Sequence, residues 1–258
     1  DSAYSANALT SRTFYDTRFG KGDEIADYTH NIVVFGTDTK IETKRTTTFY
    51  YYNGNKASLA NIDDAMTTSE TYRGEYTNVD SAYSANALTS RTFYDTRFGK
   101  GDEIADYTHN IVVFGTDTKI ETKRTTTFYY YNGNKASLAN IDDAMTTSET
   151  YRGEYTNVDS AYSANALTSR TFYDTSFGKG DEIADYTHDI IVSGTDTKTE
   201  ITKTVSIYWY GANRAVAADV NDAMTMSETH KLTIDGVLQS KTYYSGSKGD
   251  EIMVYSQS

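Results

Sequence analysis

The sequence predicts an all-β protein, a tandem-repeat antiparallel β-hairpin meander with four strands per 79-residue repeat. Residues 1–79 recur unchanged as residues 80–158, residues 159–237 form a diverged third repeat, and residues 238–258 form a partial terminal repeat. Within each copy, runs of β-branched and aromatic residues alternate with Gly, Asn and Asp turn signals. Units of a repeat array contact mainly their neighbours, so we expect an extended, solenoid-like or fibre-forming arrangement.

The four predicted strands of the first repeat are residues 9–16, 24–34, 41–52 and 67–77. The first ends in a Gly-Lys-Gly-Asp turn, and the second ends in residues 36–39. A parallel neighbour would need a crossover of a dozen or more residues, usually a full helix. No connection offers that, so sequence neighbours are expected to pair antiparallel.

The third strand carries the strongest signal. Its residues 46–54 read Thr-Thr-Thr-Phe-Tyr-Tyr-Tyr-Asn-Gly, which predicts a strand that ends in a tight Asn-Gly turn. Side chains alternate across a strand, so Phe49 and Tyr51 should lie on one face and Tyr50 and Tyr52 on the other.

Two connections carry further predictions. Residues 55–64 contain Ala and could hold one helical turn capped by Asn55. The fourth strand should join the next first strand as a hairpin, through a two-residue Asp235-Gly236 loop at the end of the third repeat. In the first two repeats this joint carries eight more residues, which predicts a longer hairpin arm.

Composition narrows the class of protein. The net charge of −12 argues against nucleic acid, whose phosphates require clustered Lys and Arg. The longest apolar runs, such as residues 32–35, are too short to span a bilayer. The chain has no Cys and no Pro, which excludes thiolate chemistry and suits uninterrupted β-ladders. It begins within its own repeat and shows no signal peptide, so we expect a processed product or a segment of a longer protein.

The segment Thr13-Phe14-Tyr15-Asp16, followed by Gly-containing turns and return strands, resembles the tyrosine-aspartate (YD, Rhs-type) hairpin repeats of bacterial surface and toxin-shell proteins. The block from Tyr50 to Thr71 also resembles tandem units of very long bacterial surface proteins. The Rhs-type unit is shorter than the half-repeat of this chain, and Tyr51 and Trp209 replace its Asp in alternate half-units. The resemblance implies a secreted or cell-surface β-repeat and no particular activity.

Acidic corners recur in every repeat. The segment Gly20 to Asp27 is similar to the glycine-aspartate nonapeptide that binds Ca²⁺ in β-rolls, where turns supply oxygen ligands. Solvated turn residues that keep an acidic chain soluble are the competing interpretation. The candidate Ca²⁺ ligands are Asp23, Glu24, Asp27, Asp102, Glu103, Asp106, Asp181, Glu182 and Asp185.

Catalysis is not predicted. The chain has no Gly-x-Ser-x-Gly elbow and no phosphate loop, and the adjacent carboxylates Asp63 and Asp64 repeat from copy to copy. His30, His109 and His188 recur at one strand position without a second ligand at metal spacing, so we expect them to be packing or exposed strand residues.

The Tyr rows have two possible roles. Cross-strand aromatic pairs can stabilise a sheet, and exposed rings can form a platform for a glycan. The candidate ligand-binding residues are Tyr50, Tyr52, Tyr129, Tyr131, Tyr208, Trp209 and Tyr210. No cofactor is expected beyond the Ca²⁺ considered above.

We expect a structural, extracellular or cell-surface protein of bacterial origin, which forms or extends a fibre, stalk or coat by end-to-end β-sheet association. Open sheet edges template such self-association. An adhesin or carbohydrate-binding repeat module that presents Tyr and Trp is the alternative function. A passive spacer within a larger protein is the third.

Overall fold

The computed structural model describes residues 9–35, 41–249 and 251–258. The predicted turn at residues 36–39 therefore lies outside the described residues. The strands are β1 (Ser11–Asp16), β2 (Ile25–Phe35), β3 (Ile41–Tyr52), β4 (Asn55–Lys56), β5 (Met66–Arg73), β6 (Leu88–Asp95), β7 (Ile104–Phe114), β8 (Ile120–Tyr131), β9 (Asn134–Lys135), β10 (Met145–Arg152), β11 (Leu167–Asp174), β12 (Ile183–Ser193), β13 (Thr199–Tyr210), β14 (Met224–Lys231), β15 (Leu238–Ser245) and β16 (Ile252–Gln257).

These strands form one open antiparallel meander, so the predicted fold class is confirmed. Hydrogen-bonded neighbours follow the chain order from β1 to β16, and the two-residue strands β4 and β9 pair with β3 and β8. The chain divides into two compact units, residues 1–124 and 125–258. Each unit is built from the four long strands per repeat that the sequence predicts.

The Asn-Gly turn is confirmed. Asn53 and Gly54 both have positive φ, 46° and 79°. Tyr52 pairs with Asn55 across this two-residue loop. The backbone twist of such a turn matches the twist of its strands, which is why Asn and Gly are needed there.

The connection after this turn differs from the prediction. A 3-10 turn forms at Ala57–Leu59, but Asn55 does not cap it; Lys56 holds the cap position without a side-chain hydrogen bond. Asn55 belongs instead to β4, because pairing with Tyr52 satisfies its backbone.

A short helix, α1 (Val79–Ser84), lies between β5 and β6 and is the main departure from the predicted fold. The extra residues of this joint do not lengthen the hairpin arm. The Asn78 side chain accepts hydrogen bonds from the backbone N–H groups of Asp80 and Ser81, so it caps the helix N-terminus. Asn86, with φ of 56°, ends the helix in the left-handed region. The second unit repeats this helix as α2 (Val158–Ser163).

The helix packs on one face of the first unit, which we call the helix face. Its buried cluster consists of Phe49, Tyr72, Val79, Ala82, Leu88, Ile111 and Val113. A six-residue helix is too short to be stable alone, so burial of Val79 and Ala82 on the sheet supports it. Tyr51 packs against the same cluster, as the alternation along β3 predicts.

The opposite face, which we call the threonine face, carries rows of hydroxyl side chains. Thr13 and Thr29 are hydrogen-bonded across β1 and β2 (2.8 Å), and Thr48 and Thr71 across β3 and β5 (3.1 Å). At one end of these strands the 3-10 turn covers a second cluster of Ile25, Tyr52, Ala57 and Ala60, with Tyr50 and Met66 packed against it.

The joint at the end of the third repeat is also longer than predicted. β14 ends at Lys231 and β15 begins at Leu238, so six residues connect them rather than Asp235-Gly236 alone. Leu232 adopts a φ of 67°, and its N–H donates to Lys203 O (3.0 Å). The strands β14 and β15 are antiparallel neighbours, as predicted.

Candidate functional site

The candidate ligand-binding aromatics of the third repeat divide between the two sheet faces. The Tyr210 hydroxyl donates to Ala184 O (2.8 Å), and the Tyr208 hydroxyl is hydrogen-bonded to that of Thr187 (2.8 Å). Trp209, between them, lies on the other face, where its indole N–H donates to Glu228 (3.2 Å). The three rings therefore cannot form one continuous platform.

The corresponding residues of the earlier repeats follow the same alternation. The Tyr50 hydroxyl donates to Thr29 Oγ1 (2.9 Å) and the Tyr52 hydroxyl to Ala26 O (2.8 Å). Burial raises the pKa of Tyr52, so its hydroxyl remains a protonated donor. Tyr129 is half-buried and Tyr131 is buried at the same positions of β8. All four rings pack as part of the sheet.

A cavity of 530 Å³ opens on the threonine face of the third repeat. It is lined by Tyr208 and Tyr210, by Tyr173 of β11 and by Met224 of β14. Two of the candidate ligand-binding residues therefore come together here.

The acidic corners are organised around their glutamates. In the Lys-Gly-Asp-Glu turn of each of the three repeats, the glutamate accepts a hydrogen bond from the Gly N–H two residues earlier. The distance is 2.9 Å for Glu24, 3.0 Å for Glu103 and 3.1 Å for Glu182. The preceding aspartates, Asp23, Asp102 and Asp181, are exposed. Each glutamate carboxylate therefore stabilises the turn in which it lies.

The other glutamate oxygen reaches the preceding repeat. The Met66 N–H donates to Glu103 Oε1 (2.7 Å), and the Met145 N–H donates to Glu182 Oε1 (2.8 Å). The bond recurs between the Met224 N–H and Glu251 (3.0 Å). We call this contact the glutamate latch.

A lysine strengthens each latch. The ammonium group of Lys100 donates to Ile62 O (2.7 Å), that of Lys179 to Ile141 O (2.7 Å) and that of Lys248 to Val220 O (2.5 Å). The corner sequence Lys-Gly-Asp-Glu therefore supplies one cation and one carboxylate to the backbone of the repeat before it. Charge-assisted hydrogen bonds of this kind are stronger than neutral ones.

The third acid of the predicted Ca²⁺ set lies on the following strand. Burial, and then the charge of Asp16, raise the pKa of Asp27. Asp185 is bound by the Arg214 guanidinium (2.6 Å), and Asp106 is half-buried. Within the described residues, no group of three or more His, Cys, Asp or Glu side chains is placed to hold a metal ion. The Ca²⁺ site stays a prediction from sequence.

A buried polar cluster on the helix face was missed by the sequence analysis. Glu70 is buried, with 8% of its surface exposed. Its Oε2 accepts hydrogen bonds from the hydroxyls of Tyr51 (2.8 Å) and Tyr72 (2.7 Å). Its Oε1 accepts from Arg91 Nε (2.7 Å), and Arg91 also binds Glu121 (3.2 Å). We call this arrangement the Glu70 cluster.

Arg91 lies between the two carboxylates of the cluster and contacts both. Burial alone would lower the pKa of Arg91, but the hydrogen bond to Glu121 and the charge of Glu70 outweigh it and raise the pKa. Burial also raises the pKa of Glu121, and the hydrogen bond and charge of Arg91 reverse that shift to a net lowering. Arg91 and Glu121 therefore stabilise each other's charged forms at neutral pH.

The second unit contains the same cluster twice, in two chemical versions. Around Glu149 it is formed by the hydroxyls of Tyr130 (2.8 Å) and Tyr151 (2.7 Å) and by Arg170 Nε (2.7 Å). Around Glu228 two donors have changed: Trp209 replaces the first Tyr (3.2 Å) and Lys241 replaces the Arg (2.5 Å). His230 stands in place of the second Tyr, with its Nε2 3.8 Å from the carboxylate and without a hydrogen bond to it. The carboxylate is buried in the first two versions and half-buried around Glu228, and the donors to it vary in type.

The recurring histidines are packing residues in the first two repeats. His30 is 2% exposed, its Nε2 lies 3.0 Å from Tyr76 O, and its ring meets Phe14 and Tyr28 at centroid distances of 5.3 and 5.2 Å. His188 is half-buried, and Ile234 stands where the first repeat has Tyr76. Burial, and then Arg170, lower the pKa of His188.

Among the described helices, neither is long and apolar enough to cross a membrane. No family model matches the chain, and no curated protein matches it significantly. The proposal of a function therefore depends on the geometry and on the sequence pattern.

Proposed function

We propose that this chain is a structural repeat protein of the bacterial cell surface or extracellular space, in which β-repeats extend a fibre, stalk or coat. The glutamate latch is the observation that carries the proposal. The same Glu and Lys contacts to the preceding repeat occur around Glu103, Glu182 and Glu251. A chain that joins its repeats through one recurring contact can grow by duplication without a new interface. The likeness to YD-type surface repeats favours the same role.

Edge strands supply the end-to-end association in this proposal. Within the described residues β16 pairs only with β15, and it exposes Ile252, Met253, Val254 and Tyr255 by 48–62%. An edge that is apolar and unpaired is a template for a strand of another chain.

Negative-stain microscopy over a concentration series tests this association. We expect elongated particles at high concentration, with lengths that are multiples of the shortest species. Val254→Lys places a charge on the exposed edge and should return the sample to the shortest species without loss of folding, because Val254 is 59% exposed. Short monomeric particles at every concentration would contradict end-to-end assembly.

A second candidate function, an adhesin or carbohydrate-binding repeat module, is favoured by the 530 Å³ cavity. Aromatic rings can bind the apolar face of a sugar, and Tyr208 and Tyr210 line this space. Glycan-array binding that is lost in Tyr208→Leu and retained in Trp209→Phe, whose ring lies on the opposite face, would favour adhesion over a purely structural role.

A further inference from the structure

The cavity of the third repeat has the size of a small-molecule site. Its 530 Å³ lie within the range of about 300–1,000 Å³ that is usual for such sites. Tyr173, Tyr208, Tyr210 and Met224 give it a half-buried wall of three rings and a thioether. The ligand class depends on which polar groups of the wall remain available.

The hydrogen-bond donors of the wall are already engaged within the protein. The three Tyr hydroxyls are bonded to Ser148 (3.1 Å), Thr187 (2.8 Å) and Ala184 O (2.8 Å). The N–H groups of Met224 and Gly249 both donate to Glu251, and the Lys248 ammonium donates to Val220 O. A sugar that enters this cavity would lose its hydrogen bonds to water and would find few donors in the wall to replace them.

The charge of the wall is negative. Three carboxylates line the cavity, those of Glu182, Asp222 and Glu251, against the single ammonium group of Lys248. Counted as formal charges, three carboxylates and one ammonium group give the lining a net charge of −2. An anionic ligand is disfavoured and a cation is attracted.

We propose that this cavity binds an organic cation of the quaternary or tertiary ammonium class, such as a choline group. Ring faces attract such cations electrostatically, and a quaternary ammonium needs no hydrogen bond from the protein. The carboxylates add long-range attraction. This inference rests on the second candidate function, adhesion through the cavity, and names its ligand class.

The first repeat, together with the first acidic corner of the second repeat, carries the same residue types at the corresponding positions, with one difference. Ile62 stands where the third repeat has Val220, so the third repeat has a methylene group fewer in its lining. The corresponding aromatic and charged residues are Tyr15, Tyr50, Tyr52, Met66, Glu24, Asp64, Lys100 and Glu103. The repeated sequence thus gives the array the means to present the site more than once.

Calorimetric titration with choline chloride, 3,3-dimethyl-1-butanol and maltose tests the assignment. The alcohol has the shape of choline without its charge, and maltose represents a neutral glycan. We expect choline to bind, and the alcohol to bind about tenfold more weakly or not at all. The variant Asp222→Asn keeps the one oxygen acceptor that Asp222 uses, toward the Asp219 N–H, and should weaken choline binding about fivefold.

The matched control removes one charge elsewhere in the third repeat. Asp196→Asn changes an exposed turn residue and should leave choline binding unchanged. Thermal midpoints verify that each variant is folded, and Tyr208→Leu provides a second, uncharged change to the wall. Equal affinity for choline and the neutral alcohol would overturn the proposal. Maltose binding without choline binding would overturn it and leave a sugar-binding adhesin; binding of neither would count against both.

Discussion

Arg91→Ala is expected to reduce the free energy of unfolding by about 3 kcal/mol, because it leaves the buried carboxylate of Glu70 without its cation. Glu70 would keep the hydrogen bonds from its two Tyr hydroxyls but would lose the hydrogen bond from the guanidinium group of Arg91. Glu121 would lose the same partner. Urea unfolding followed by circular dichroism measures the loss as a lower midpoint at unchanged slope.

Arg12→Ala is the matched control, because Arg12 occupies the corresponding position of the first repeat. Arg12 is 43% exposed on its side chain and pairs with Glu42 (2.9 Å) without a buried carboxylate. Such exposed pairs contribute less than about 1 kcal/mol. If Arg91→Ala and Arg12→Ala lowered the free energy of unfolding by the same amount, burial of the carboxylate would not explain the effect of Arg91.

Acidification provides an independent check of the same variant. Because Arg91 lowers the pKa of Glu121 in the folded state, the stability from this pair is fully present above the ordinary value of 4.5 and is lost below it, as pH falls through the lower pKa of the folded state. The difference in the free energy of unfolding between wild type and Arg91→Ala should therefore become smaller in acid.

Ile183→Ala is expected to cost about 2–5 kcal/mol, through lost apolar burial and the cavity left behind. Ile183 is 5% exposed and packs with Ala215, Ala218 and Tyr210 under the 3-10 turn of the third repeat. Chemical unfolding of the purified variant measures this loss.

Ile252→Ala is the control for this variant. Ile252 holds the same repeat position in β16, but it is 56% exposed because no 3-10 turn packs over it among the described residues. The control should change the free energy of unfolding by less than about 0.5 kcal/mol. A large loss in Ile252→Ala would mean that β16 is covered in solution, by another chain or by a different conformation of this one.

The elements that the sequence predicted correctly depend on local or periodic signals. Asn53-Gly54 forms the expected turn because only residues that tolerate positive φ fit there. The aromatic alternation along β3 follows from the period of a strand. Unbroken antiparallel order follows from short connections.

The elements that the sequence analysis missed depend on tertiary contacts. The helix α1 has only six residues, and the sheet beneath Val79 and Ala82 stabilises it more than its own propensity does. A local signal did exist, since Asn78 precedes Asp80 in the usual N-cap arrangement. At the third joint, the Leu232 contact to Lys203 on β13 outweighed the Asp-Gly signal.

The Glu70 cluster was also missed because tertiary contacts form it. Tyr51, Glu70 and Arg91 belong to three different strands, and only the strand register brings them together. The pair Glu70 and Tyr72, two apart on one face, was the one signal available along the chain. The replacement of Tyr by Trp209 and of Arg by Lys241 around Glu228 would have strengthened that signal, because both keep a donor to the carboxylate.

The central claim, that the repeats form one array joined by equivalent interfaces, is tested most directly by adding a repeat. A chain with a further copy of residues 80–158 inserted after residue 158 gains one more glutamate latch and one more Glu70-type cluster. In a quasi-one-dimensional array each copy adds its own stability and an interface term. The account predicts a higher urea midpoint and a steeper transition than those of the parent chain. An unchanged midpoint with a separate transition for the added copy would contradict it.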